Sequence, residues 1–220
     1  TMHDIVVTGY DPDEGVALIA DNDREEIQRC SLESLARARG SQGFPGPNHH
    51  ATWVMRFPEA LPDARAAIER AVRRSAANMT EGAEGLAGLD PGCGLDHVAR
   101  LAESYAQWPE RYGERLARAM GGLWVFIVKA GTGGAMFRSL QAGFLRESAD
   151  LLGDGRLGLA ADVYEELAGE WVALAGAAAG ARDGDPAAAH EAGRPHMDAI
   201  ARLERDGAEA MARSVGAATA

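Results

Sequence analysis

His3 and Asp21 form the first pair in this chain whose residue types suit catalysis. A neutral imidazole accepts a proton near pH 7. A neighbouring carboxylate fixes its tautomer and stabilises the imidazolium that forms. Beside a cysteine, the same pair lowers the thiol pKa, and the thiolate attacks an acyl carbon. Two strands must bring the pair together. Ile5-Val6-Val7 and Leu18-Ile19 are rich in strand formers, and Asp11-Pro12-Asp13-Glu14-Gly15 is a turn signal between them. The pattern predicts an antiparallel hairpin with the start of its first strand beside the end of its second. That register puts His3 next to Asp21, with Asn22 and Asp23 just beyond. The bland alternative is a near-terminal histidine and a solvated acidic turn.

A histidine, two short strands and then an aspartate is also the arrangement of the papain-like clan. The spacing resembles the bacteriocin-processing peptidase domains of ABC transporters. The wording His3-Asp4-Ile5-Val6-Val7-Thr8-Gly9-Tyr10-Asp11, followed by Ala20-Asp21-Asn22-Asp23-Arg24, resembles the butirosin biosynthesis protein H family. So do Gly94-Leu95 with Val98 and Trp108, and Gly131-Thr132-Gly133-Gly134 with Phe137-Arg138. The resemblance implies an acyltransferase of papain-like ancestry in natural-product biosynthesis. Such an enzyme takes an acyl group from a carrier-protein thioester and passes it to an amine. It implies His3 as base and Asp21 as the orienting acid. It also requires a cysteine nucleophile and an oxyanion-stabilising segment ahead of His3, outside these 220 residues. As given, the chain is therefore expected to be inactive alone. The expected partners are an acyl carrier protein and a small-molecule amine. The chain itself needs no cofactor, because the partner carries the phosphopantetheine thioester.

The second informative stretch runs from Lys129 to Arg138 and joins two helical patterns. Its glycines allow close backbone approach, and the helix start after them offers amides to an anion. It lacks the Gly-Lys-Ser/Thr of a phosphate-binding loop, so nucleotide hydrolysis is not implied. Thr132, Gly133, Gly134 and Arg138 are the candidate substrate-binding residues, for a substrate carboxylate or the carrier's phosphate. The alternative is a tight interhelical turn with Arg138 in a surface pair.

Other reactive residues carry less. Cys30 precedes a helix start, which can lower a thiol pKa, but no histidine is sequence-locally paired with it. Cys93 lies in the glycine-rich segment 80–94, which reads as a mobile connection or a lid. His49 and His50 are adjacent and lack a third ligand at helical spacing, so no metal site is expected. Arg70, Arg73 and Arg74 make a basic cluster that reads as a solvated face or as a docking point for a carrier's phosphate. His190 and His196 have no sequence-evident partners.

Composition bounds the rest. Acids outnumber bases 33 to 22, for a formal charge of −11. That argues against a nucleic-acid backbone or an anionic membrane as a general partner. Two cysteines are too few for a disulfide framework, so a reduced cytoplasmic setting is the default. The longest apolar run, 123–128, is far too short to span a bilayer.

These features predict an α+β fold. A small antiparallel sheet with the His/Asp pair occupies residues 1–58 as the C-terminal piece of a papain-like half, and a mainly helical domain occupies 59–220. Residues 51–57 have strand composition and are expected to add a third strand. Helical periodicity follows from about residue 60, with Asp63 or a neighbour as its start. Gly121-Gly122 is expected to be a weak point or break within one helix, and Pro195 to kink or delay the last. Unpaired sheet edges invite homo-oligomerisation. Two functions stand beside acyl transfer: a papain-like cysteine hydrolase acting on a peptide or thioester, and a non-catalytic helical binding module.

Overall fold

The computed structural model describes residues 4–21, 24–43, 47–81, 94–130 and 132–216, with the backbone alone at 132 and 133. The fold is α+β: a three-stranded antiparallel sheet followed by helices. The chain divides into two compact units, residues 1–60 and 61–220.

In the first unit, β1 (Val6–Asp11), β2 (Val16–Ala20) and β3 (Gln28–Ser31) lie in that order. The turn between β1 and β2 forms because the Asp11 carboxylate accepts the amides of Asp13 and Glu14 at 2.9 and 3.0 Å. Gly15 completes it at φ +66°. Val6 pairs with Ala20 and Asp11 with Val16, with a bulge between Val7 and Gly9. On β2 the period-two pattern buries Ala17 and Ile19. Helix α1 (Leu32–Arg39) starts at Ser31, whose hydroxyl accepts the Ser34 amide at 3.1 Å. The third strand is β3, and residues 51–57 form no strand. Strand composition is only a preference; a strand also needs an edge partner. The short connection from β2 brings Gln28 to its edge at little entropic cost.

The second unit holds α2 (Ala64–Thr80), α3 (Leu95–Ala106), α4 (Trp108–Tyr112), a 3₁₀ turn (Gly113–Arg115) and α5 (Leu116–Trp124). Two π-helical segments follow, Val125–Ala130 and Thr132–Met136. Then come α6 (Arg138–Leu152), α7 (Gly155–Gly180) and α8 (Pro186–Gly216). Asp63 caps α2 and Asp154 caps α7, each accepting a backbone amide of the first turn. Helix α5 runs unbroken through Gly121 and Gly122, and the chain leaves α geometry only at Val125. Helix α8 likewise continues through Pro195 without delay.

Helix α7 is the centre of this unit, packed by α5, α6 and α8. Leu157, Tyr164, Leu167, Trp171, Leu174 and Ala178 are all buried along it. Two glycines of α8 admit tyrosine rings. A Cβ at Gly207 would sit 2.8 Å from Tyr164 Cε2, and one at Gly193 would collide with the Tyr105 hydroxyl. His190 finds its partner here. Its Nε2–H donates to the Tyr105 carbonyl at 2.7 Å, the Tyr105 hydroxyl donates to the His190 carbonyl at 3.3 Å, and the rings stack. Burial pushes the Tyr105 pKa up to about 12. His196 Nδ1 meets Glu170 at 2.8 Å.

Candidate functional site

His3 lies outside the described residues, as do Asn22, Asp23, Gly131 and Cys93. Asp21 follows β2 directly and is half-buried, and its carbonyl accepts the Arg24 amide at 3.2 Å. The hairpin register sets Val6 opposite Ala20, so the chain entering β1 runs beside the chain leaving β2 at Asp21. Cys30 sits half-buried on β3 with its thiol against the Ser31 carbonyl.

On either side of residue 131 the chain is π-helical, Val125–Ala130 before it and Thr132–Met136 after it. Thr132 and Gly133 lie on the backbone of the second segment, and Gly134 takes φ +77°. Met136 and Phe137 also have positive φ, +50° and +65°, which non-glycine residues adopt only when their surroundings hold them there. Part of that hold is visible. Arg138 Nη1 donates to the Met136 carbonyl at 3.1 Å, while Nε and Nη2 donate to the two Glu204 oxygens at 2.8 and 3.0 Å. Glu204 is fully buried, and Trp171 Nε1 adds a third bond to it at 3.1 Å. A buried carboxylate thus receives a bidentate guanidinium and an indole N–H, which satisfies it. Tyr164 is raised well above the ordinary tyrosine range, first by burial and then by the Glu204 charge. Arg138 is therefore a clamp that ties α6 to α8.

A cavity of about 620 Å³ opens beside this clamp, lined by α3, α4, α5, the two π-helical segments and α7. Its wall is apolar: Leu101, Leu123, Phe126, Ile127 and Met136, with the Trp108 and Trp171 indoles. Both indole N–H groups are already bonded, Trp108 to the Ser104 hydroxyl and Trp171 to Glu204. Arg115 and Arg118 stand at the lining, both exposed, and neither forms an ion pair among the described residues. π-helical turns are rare, and they recur at functional sites because the widened turn re-aims side chains. Here that widening carries Phe126, Ile127 and Met136 into the cavity wall.

Residues 33–211 match a family model described as a domain of unknown function, DUF4872. The chain belongs to the DUF4872 family. No curated protein matches it. The DUF4872 match runs from α1 to near the end of α8. It therefore contains the cavity, Arg115, Arg118 and the Arg138–Glu204 clamp, while the hairpin and Asp21 precede it.

Sequence reasoning missed Glu204 and the cavity. A signal for Glu204 existed. It sits at an inward position of α8, among Ile200, Leu203, Ala208 and Met211, where only apolar residues are expected. The basic cluster on α2 is partly engaged, since Arg73 donates to the Val215 carbonyl near the end of α8 at 3.2 Å. Among the described residues no helix is long and apolar enough to cross a membrane.

Proposed function

We infer that this DUF4872 chain serves thiol-dependent acyl transfer, from a carrier-protein thioester to a small-molecule amine. The observation that supports it is the hairpin register, which aligns the residues entering β1 with Asp21. In this reading His3 is the base and Asp21 orients its ring. The thiol belongs to the cysteine segment that the butirosin-family resemblance places ahead of His3. The thiolate attacks the thioester carbonyl, and the phosphopantetheine sulfur leaves, taking a proton from the His3 imidazolium. The amine then attacks the acyl-enzyme, gives its proton to His3, and expels the enzyme thiolate. Thr132, Gly133 and Gly134 are the backbone candidates for gripping a charged group. Arg138 would add the two N–H groups that Glu204 and Met136 leave unused.

The test uses the protein together with that cysteine segment, a carrier-protein thioester and an amine. His3→Ala is expected to lower the transfer rate by about 10²–10⁴-fold. An unchanged rate overturns the mechanism. Running the assay without amine separates transfer from hydrolysis, since the acylation step is common to both.

A further inference from the structure

We propose that the helical cavity is a binding site for an organic carboxylate with an apolar body. The body occupies the chamber and the carboxylate sits at Arg115 and Arg118. This assignment does not rest on acyl transfer, because it concerns occupancy of a cavity whose lining residues all belong to the helical unit.

Three observations carry it. The volume, about 620 Å³, falls within the roughly 300–1,000 Å³ of small-molecule sites. The wall offers almost no spare polar side chain: both indole N–H groups are bonded within the protein, which leaves only the Tyr112 hydroxyl besides the arginines. A sugar or other polyhydroxylated body would bury hydroxyls without partners, whereas an aliphatic or aromatic body loses nothing. Arg115 ends the 3₁₀ turn and Arg118 lies in the first turn of α5, three residues on, so two guanidinium groups border the same cavity. Neither pairs with a described carboxylate, in a chain where acids outnumber bases 33 to 22. Some arginines of this unit are paired, Arg146 with Asp162 and Glu165 and Arg156 with Asp154, while Arg100 and Arg205 form no ion pair among the described residues; what sets Arg115 and Arg118 apart is that they line the cavity. The two lining cations thus keep their fork-shaped donors free for a carboxylate. The Trp171 wall is fixed in place by Glu204, so the chamber is formed before a ligand enters.

The full chain is titrated calorimetrically with decanoate and with decanol, which has the same body without the charge. Decanoate is expected to bind at least about tenfold tighter than decanol, the value of one charge-assisted contact. Arg115→Gln with Arg118→Gln is expected to erase that preference and leave decanol binding unchanged. Gly122→Phe fills the chamber from α5, where an added Cβ meets nothing within 4 Å. It is expected to abolish binding of both ligands with the helical circular dichroism intact. Equal affinity for the two ligands, no binding of either, or undiminished decanoate binding in Gly122→Phe each overturns the assignment. Loss of acyl transfer in His3→Ala changes none of these readouts, so the two readings fail separately.

Discussion

The sheet unit and the helical unit spend their apolar residues in opposite ways. In residues 1–60, Ala17 and Ile19 are the buried hydrophobics among the described residues, while Val6, Val7, Tyr10, Trp53, Val54 and Phe57 are each at least half exposed. In residues 61–220, a continuous core runs along α7 and α8 and takes in α2, α3, α5 and α6. The residues that first suggested chemistry belong to the poorly buried unit. The apolar cavity and the buried ion pair belong to the other. A three-stranded sheet with one half-covered face holds little stability of its own. A helix with a continuous buried face makes each side chain on that face costly to change.

The sharpest way to break that contrast is Arg138→Ala. It leaves the fully buried Glu204 without its cation and is expected to cost about 3–5 kcal/mol, read by urea denaturation. Replacing both residues with methionine is expected to recover most of that loss, because no charge is then left buried. A loss below about 1 kcal/mol for Arg138→Ala would mean that the clamp is not closed in solution.

Gly207→Ala comes next. Overpacking against Tyr164 costs about 1–3 kcal/mol, offset in part by about 1 kcal/mol of helix propensity. Gly122→Ala is the matched control. It meets no neighbour within 4 Å and is expected to stabilise by about 0.5–1 kcal/mol.

Asp154→Ala removes the α7 cap and is expected to cost about 1 kcal/mol near neutral pH. The guanidinium of Arg156 holds the Asp154 carboxyl below its ordinary value of 3.8. A depressed carboxyl stabilises the fold above the ordinary range and stops doing so as pH falls through the native value. The gap between wild type and Asp154→Ala is therefore expected to narrow in acid, below about pH 4, as measured by melting at several pH values.

Trp53→Ser closes the series. The side chain is 75% exposed, and the change is expected to stay within about 0.5 kcal/mol. A larger loss would show that the sheet unit is covered in solution and would erase the contrast with the helices.

The hairpin was legible in the sequence because both of its causes are local: strand formers around a turn that Asp11 and Gly15 close by themselves. The caps Ser31, Asp63 and Asp154 belong to the same class. Residues 51–57 misled because their composition reports strand preference and not the presence of an edge. No break occurs at Gly121 and Gly122, because the glycine pair is held in the helix by the buried residues on either side of it, Met120 and Leu123. Arg138 could be singled out by position, but its partner lies 66 residues further on.

The sequence by itself determined the hairpin, the helix caps and the apolar faces of the helices, because turns, caps and hydrophobic period act over a few neighbouring residues. It also determined the excess of acids, 33 against 22 bases. Only the tertiary structure decided that Arg138 closes on Glu204, that His190 and Tyr105 lock α3 to α8, and that residues from Leu101 to Trp171 share one chamber. Those outcomes depend on which faces of distant helices meet. Packing sets that for the whole unit at once, and no window of a few residues contains it.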